Sequence, residues 1–417
     1  MRHLSLFVLL SLVLACWAQD GSIITVNLEN DAVQRYLSEV HYAREDTSRV
    51  KDYNVAPPTY RDRPTPARVP IPAADAADLL LTYADDADYS EGVQTMALQQ
   101  GSREAVIYNL TPQRTYYYQV TAGGQTLSKG EIHTEGQVRM IYVPGATNIR
   151  DIGGWPTSDG RRIKYGKIFR GSELNGLHDV APEHLAILTD QLGIQAEMDL
   201  RTWSDSAHNI SAFGFQSNSS GTSQYPPYYY TYGSGQLPEH LMLRAYRYRW
   251  KWEFTFMYNN LRRDRNVYYH CVWGADRSGY LSLFIEGLLG VDYDHLIKDY
   301  ELSTMYSGSR VKERIDPVLD FIMALEGETL QEKFNTFFVD SLGVYQSYIN
   351  YFRDEMLEEV KSDTGSGGDN PATDIRSAGR HECPSGSAVT YDLQGRKTRK
   401  NGRRRLVIEN GALTIEH

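Results

Sequence analysis

The segment best equipped for chemistry runs Val267-Tyr-Tyr-His270-Cys271-Val272-Trp273-Gly274-Ala275-Asp276-Arg277-Ser278-Gly279. Val267–His270 reads as a strand and a helix begins near Arg277, so Cys271 is delivered into a tight loop that Gly274 allows to bend sharply. Successive backbone N–H groups in such a loop point inward and form a nest for a tetrahedral anion, and the helix N-terminus adds partial positive charge. Val272, Trp273, Gly274, Ala275, Asp276 and Arg277 are therefore the substrate-binding candidates, and Arg277 would grip two oxygens of the anion at once, as a lysine does not. The same surroundings suit a thiolate, because helix N-termini and nearby cations lower a cysteine from about 8.5 to about 3.5–7.5. A shift of roughly three units is worth about 4 kcal/mol to the anionic form. The chemistry these residues spell is attack of Cys271 on phosphorus, with water later hydrolysing the phosphocysteine. Ser278 stands where its hydroxyl would donate to the sulfur and ease the second step. The bland alternatives are an inert buried thiol and an ordinary first-turn serine.

Around this loop the chain from Val138 to about Lys361 alternates strand-like and helix-like runs, the pattern of an α/β domain. Ile194–Leu200 and Val267–His270 read as sheet strands. Arg277–Leu289, His295–Met305, Asp316–Glu326, Leu330–Ser341 and Val344–Glu359 read as helices. Between Tyr246 and Tyr258 aromatics recur at every second position, which suits a strand. Trp250, Phe254, Tyr258 and Leu261 also keep helical spacing, and a helix is the preferred reading. The tyrosine cluster Tyr225–Tyr232 is a candidate for the site mouth, where a ring would stack on a substrate ring.

Upstream, Ile23–Leu28 reads as a strand, Asn30 to about Val40 as a capped helix, and Pro57–Pro72 as an extended stretch. From Pro66 to Glu135 short β runs follow one another: Leu79–Tyr83, Val93–Leu98, Ala105–Tyr108, Thr115–Val120 and Gly130–Thr134, with Gly123-Gly124 as a hairpin turn. Downstream, Gly365–Pro371 reads as a flexible linker, followed by a tail with the runs Tyr391–Arg396 and Val407–Gly411. The expected organisation is a leader over 1–18, an N-terminal extension over 19–65, a β-sandwich over 66–136, a catalytic α/β domain over 137–361, a linker over 362–372 and a small β tail over 373–417.

The chain has 417 residues, enough for two or three cores, with 41% hydrophobic residues and 30 tyrosines, which places it among globular proteins. A formal charge of −10 argues against nucleic acid or an anionic membrane surface as main partner. Leu4–Ala15 is an uncharged run too short to span a membrane and reads as an export signal. Cleavage before Gln19 is favoured. Val13-Leu14-Ala15-Cys16 resembles a loose lipoprotein box that would put a lipid anchor on Cys16, although Leu14 fits it imperfectly. The expected location is outside the cytoplasm: periplasm, cell surface or medium. Cysteines occur only at 16, 271 and 383, too few for a disulfide framework.

His-Cys-x5-Arg-Ser resembles the signature of protein tyrosine phosphatases, here their bacterial tyrosine/serine branch. Further segments resemble that branch in order: Thr147–Gly154 its opening motif, Gly160–Ile163 to Ile168–Ser172 its next strand pair, Asp199-Leu200-Arg201 a strand end, then Ile297–Ser303 and Leu342–Val344. The resemblance implies a tyrosine-phosphatase-like catalytic domain needing no cofactor or metal. Its substrate would be a phosphorylated protein or small aryl phosphate. The branch usually carries lysine at the position of Ala275, and the loss of that charge tilts the reading from phosphoinositides towards phosphotyrosine. For the proton that the leaving oxygen needs, the resemblance favours Asp199 at the strand end facing the loop. Asp276 comes second, and Asp205 reads as a solvated loop charge. Leu110–Val120 resembles the fibronectin type III pattern, in which a Tyr caps a corner of the sandwich. The tail resembles the small β tails of exported bacterial proteins, some of them sorting signals, although the basic run Arg396–Arg405 interrupts it. The competing functions are a phosphoinositide phosphatase, a rhodanese-type sulfurtransferase, which lacks this arrangement, and a non-catalytic phosphate-binding or adhesion protein, against which the intact Cys271, Arg277 and Ser278 argue.

Overall fold

The computed structural model describes residues 21–53, 63–73, 75–201, 210–214, 247–306 and 310–360, and the backbone alone of 19–20, 244–246, 405–409 and 412–416. The leader-like run with Cys16, Asp205, the Tyr225–Tyr232 cluster, the linker Gly365–Pro371, the run Tyr391–Arg396 and Cys383 lie outside these residues. No helix among the described residues is long and apolar enough to cross a membrane.

Seven strands form two sheets over one core: β1 (Gln19–Asn27), β2 (Ala67–Pro70), β3 (Leu79–Ala84), β4 (Gln94–Ala97), β5 (Glu104–Ile107), β6 (Thr115–Ala122) and β7 (Gln125–Glu135). The larger sheet has the order β1-β7-β6-β3-β4, and β2 pairs with β5 alone. Side chains alternate with a period of two: Leu79, Leu81 and Tyr83 of β3 face inward, as do Tyr116, Tyr118 and Val120 of β6, against Val69, Ile107 and Ile132. Gly123 and Gly124, both at positive φ, make the tight turn into β7. The Tyr116 hydroxyl accepts a hydrogen bond from the Thr111 amide at 2.9 Å, pinning the corner that leads into β6. β1, expected in an N-terminal extension, joins the edge of the larger sheet by pairing parallel to β7.

Between β1 and β2 the chain leaves these two sheets. Helix α1 (Asp31–Glu39) starts where the Asn30 side chain accepts from the Val33 amide, as its capping position predicts. Val33, Tyr36, Val40, Tyr42, Val50 and Tyr53 from this stretch are buried in the core of the following α/β domain, not in the core between the first two sheets.

That domain is built on a second five-stranded sheet, formed by β8 (Met140–Ile141), β9 (Ile149–Asp151), β11 (Ile168–Gly171), β12 (Ile194–Asp199) and β13 (Asn266–His270) in the order β12-β13-β11-β9-β8. Strands β11, β12 and β13 are parallel, with Gly171 and Asp199 both in register with His270. Their carboxyl ends therefore open at one edge, where parallel sheets place their ligands. Strand β10 (Arg161–Ile163) does not pair with β11 as the strand-pair reading implies. It pairs with β14 (Leu357–Glu359) in a separate two-stranded ribbon. The helices are α2 (Pro182–Ala186), α3 (Arg244–Leu261), α4 (Arg277–Leu289), α5 (Tyr293–Tyr306), α6 (Asp316–Met323), α7 (Leu330–Thr336) and α8 (Gln346–Met356), with wider π-type turns after α2 and α7. The 244–261 stretch is helical, so the helical spacing outweighs the alternation. The expected helix through Glu359 stops at Met356, where Leu357 turns extended to join β10.

Helix α4 is buried on nearly every side, which marks a central helix. Its Phe284 ring lies 4.3 Å from Trp250, 5.0 Å from Phe337 and 5.9 Å from Phe334, measured between centroids. At the far end of the chain β15 (Arg405–Glu409) and β16 (Ala412–Glu416) pair as an antiparallel hairpin. Phe284→Ala is expected to cost about 3–5 kcal/mol, read as a lowered denaturant midpoint. A cost below about 1 kcal/mol would remove α4 from the centre of the core.

Candidate active site

The loop from Cys271 to Asp276 leaves β13 in the middle of the parallel strands and runs into α4, so strand and helix together fix both of its ends. Its shape follows from where its carbonyls go. The Glu173 amide donates to the Val272 carbonyl at 3.2 Å. Asn148 Nδ2 donates to that of Trp273 at 3.1 Å, and Arg170 Nη2 to that of Gly274 at 2.9 Å. The carbonyls of Ala275 and Asp276 accept from Gly279 and Tyr280 in the first turn of α4. All five oxygens are tied to the scaffold, so the amides between them turn the other way. Among the described residues, the amides of Val272 to Asp276 donate to no acceptor within the protein. A row of such N–H groups beside a helix N-terminus is an anion nest.

Gly274 is the residue that lets the loop fit. Its φ is +65°, and a Cβ there would stand 2.3 Å from the Gly171 carbonyl carbon and 2.7 Å from the Ser172 amide nitrogen. Backbone meets backbone at that point, so a Cβ there would force the loop itself to shift.

The anchoring groups are themselves held by a buried ion network. Asp299 of α5 accepts from Arg150 Nε at 2.9 Å and from Arg170 Nη1 at 2.6 Å. Arg150 also donates to Asn148 Oδ1 at 2.8 Å. Asn148 adopts a positive φ of 53°, a conformation asparagine tolerates better than most residues. One carboxylate thus orients both side chains that hold the Trp273 and Gly274 carbonyls.

Cys271 is 2% exposed, Arg277 5% and Ser278 fully buried. Burial pushes the Cys271 thiol up, but the Arg277 guanidinium and the hydroxyl and amide of Ser278 more than offset this, with Asp276 opposing them, and the thiol sits below its ordinary range. Arg170 and Tyr268 also lie close enough to feel the sulfur's charge. Arg277 Nη1 donates to the Leu200 carbonyl at 2.8 Å, which anchors the guanidinium at the end of β12. Behind the loop, His270 Nε2 lies 3.0 Å from Glu197 and its Nδ1 3.3 Å from the Cys271 carbonyl. Burial pushes His270 down, but Asp199 and Glu197 outweigh it and raise its affinity for a proton.

The two described candidates for proton donor are both held by guanidinium groups. Asp199 is 1% exposed and accepts from Arg201 Nε at 2.9 Å, Nη2 at 2.8 Å and the Arg201 amide at 2.9 Å. Burial pushes its carboxyl up, and His270 and Arg201 bring it to a net value below the usual carboxylate range. Asp276 is bound bidentately by Arg310, at 3.1 and 2.5 Å, with Arg314 Nη1 at 3.5 Å. Arg310 and Arg314 were not singled out in the sequence, where they sit in the charged string Arg310-Val-Lys-Glu-Arg314 with no motif around them. Ala275 is buried. The Trp273 ring packs edge-on against His178 at 4.7 Å and lies 6.4 Å from Tyr306, giving the loop an aromatic flank.

A dianion entering this nest would meet inward amides, an anchored guanidinium and a sulfur held towards its thiolate form. Residues 141–364 match the tyrosine phosphatase family. The match spans more than half of the chain, which belongs to that family and contains a phosphatase domain acting on phosphate esters. No curated protein matches it.

Two outcomes follow from this geometry. Because the thiol's folded value is depressed, its thiolate persists on lowering the pH further than that of a free cysteine. Alkylation of Cys271 by iodoacetamide should therefore show a midpoint below about 8.5, and a midpoint at or above it would contradict the arrangement. Gly274→Ala should keep its circular dichroism spectrum yet lose activity by on the order of 100-fold or more, because a displacement of about 1 Å costs that much.

Proposed function

We propose that this chain is an exported, cysteine-dependent phosphatase that hydrolyses phosphotyrosine and related aryl phosphates through a phosphocysteine intermediate. The observation that carries the reading is the set of loop carbonyls drawn outward over a lowered-pKa thiol, which leaves the inward amides for phosphate. Cys271 Sγ attacks phosphorus as the ester P–O bond breaks, and the bonding electrons leave on the phenolate oxygen. Arg277 and the loop amides bear the charge of the transferring phosphoryl group. Water then attacks phosphorus, the S–P bond breaks and the thiolate is restored, with Ser278 donating to the departing sulfur. Export rests on the uncharged run Leu4–Ala15.

The choice of an aryl ester has two supports. Asp199 and Asp276 are each committed to guanidinium partners, so the ester that depends least on a proton donor is favoured, and a phenolate leaves more readily than an alkoxide. The aromatic flank of Trp273, His178 and Tyr306 also suits a ring substrate. On this reading Asp199 organises Arg201 and His270, and Asp276 organises the loop. The sandwich, with its Tyr116 corner, is read as a fibronectin type III-like spacer or binding module.

The full chain is expected to hydrolyse p-nitrophenyl phosphate and phosphotyrosine peptides in the presence of chelator, with inhibition by vanadate. A panel comparing phosphotyrosine, phosphoserine and phosphoinositides should rank phosphotyrosine first, and a preference for inositol phosphates would overturn the substrate assignment. Cys271→Ser should abolish turnover, and Arg277→Lys should lower kcat by roughly 10²–10³-fold. Asp199→Asn should depress aryl and alkyl phosphate hydrolysis in similar proportion. A far larger loss on alkyl esters would identify Asp199 as the proton donor.

A further inference from the structure

The stretch between β1 and β2 lies outside the family match, yet it reaches the catalytic loop through a short chain of buried contacts. Glu301 of α5 is fully buried. It accepts from the Tyr36 hydroxyl at 2.7 Å, the Tyr42 hydroxyl at 2.5 Å and the Lys312 amide at 2.6 Å. Lys312 Nζ in turn donates to the Arg44 carbonyl at 2.9 Å and to both oxygens of Asp316 at 3.0 Å. The Ser48 amide donates to Glu313 at 2.9 Å, the Tyr42 amide to Asp294 at 2.7 Å, and Lys298 to the Leu37 carbonyl at 3.2 Å. Residues 36–48 thus clasp both α5 and the segment that follows it.

That segment carries the two arginines bound to Asp276. The Arg310 backbone is fixed on both sides by the Thr304 hydroxyl, at 2.8 Å from its amide and 2.6 Å from its carbonyl. The Arg314 carbonyl accepts from Tyr280 of α4 at 3.0 Å. Asp276 is the residue before Arg277, and its negative charge works against the Cys271 thiolate. It would equally repel a phosphate dianion in the loop. Arg310 and Arg314 offset that charge only while the 310–314 backbone stays in place, and Glu301 with its two tyrosines holds it there.

We propose that residues 36–48 are a positioning element of the active site, acting through Glu301, Lys312 and the Arg310–Asp276 ion pair to keep the loop fit for an anion. This rests on the cysteine-phosphatase reading above, but its test does not need turnover. Tyr42→Phe and the double substitution Tyr36→Phe/Tyr42→Phe remove hydroxyl groups that lie far from the sulfur in sequence. In the full chain, alkylation of Cys271 by iodoacetamide is followed across pH by mass spectrometry of its peptide, with and without vanadate protection. The expected result is a midpoint raised by about half a unit to one unit and vanadate protection weakened roughly three- to tenfold. In an Arg310→Gln background, which already breaks the clamp, the tyrosine substitutions should add nothing further, the non-additivity expected of coupled groups. If the double variant does not fold, the single variant decides the matter. Wild-type midpoints and vanadate protection in a folded tyrosine variant, or shifts that simply add to those of Arg310→Gln, would overturn the proposal. Loss of vanadate protection in the unaltered protein would instead count against the phosphatase reading itself.

Discussion

The site depends on the direction in which six consecutive peptide groups face. A loop of this length satisfies its carbonyls either inward, against its own amides, or outward, against its surroundings, and only the second arrangement leaves donors for an oxyanion. Here the outward arrangement is imposed by three separate parts of the fold: the Glu173 amide after β11, the Asn148 side chain before β9, and the Arg170 side chain on β11. Two of these depend on Asp299. Buried ion networks of this kind add little net stability, because desolvating their charges offsets most of the attraction. Their contribution here is orientation. Each guanidinium has a planar set of donors with one satisfactory arrangement, and that arrangement aims the loop.

A second layer of charge pairing surrounds the sulfur. Arg277 lies beside the Cys271 sulfur with its Nη1 seated on the Leu200 carbonyl, while of the two nearby aspartates Asp199 is matched by Arg201 two residues on and Asp276 by Arg310 from the segment after α5. Without those partners the site would hold two unmatched carboxylates near a sulfur that, on the proposed reading, acts as an anion and receives a dianion. Local neutralisation lets acidic residues sit beside a thiol held below its ordinary range in a protein of overall negative charge. It also commits both carboxylates to guanidinium partners, the arrangement on which the proposed preference for an aryl leaving group rests.

Much of this was legible in the sequence where one local rule decided the outcome. Asn30 announced a helix start, Gly123-Gly124 a hairpin, and the spacing of Trp250, Phe254 and Tyr258 a helix despite the competing alternation. The run from His270 to Ser278 displayed the loop, its cysteine and its arginine within nine residues. What stayed hidden was set by distant partners. Nothing near Arg310 says that its guanidinium reaches back to Asp276, because the pair is separated by the whole of α4 and α5. Asp199 is a case of a near partner: Arg201 stands two residues on, yet its bidentate grip on the carboxylate depends on how the chain turns after β12. The end of α8 at Met356 is likewise a tertiary effect: Leu357–Glu359 leaves the helix because β10 offers it an edge.

The path of the chain between the two cores has a bearing on how such a protein could have been assembled. β1 pairs into the larger sheet of the first unit, buried residues of 33–53 pack into the α/β core, β2–β7 return to the first unit, and the described buried residues from Val138 to Leu357 line the α/β domain on the two faces of its sheet. The polypeptide therefore passes between the modules three times, whereas two domains joined like beads would be crossed once. A single recombination breakpoint cannot transplant either unit intact: a cut ahead of the phosphatase segment would strip away Tyr36 and Tyr42, and a cut after β1 would leave the sandwich sheet with a bare edge at β7. Gene shuffling would have to move the two as one inheritance, or rebuild the missing piece afterwards.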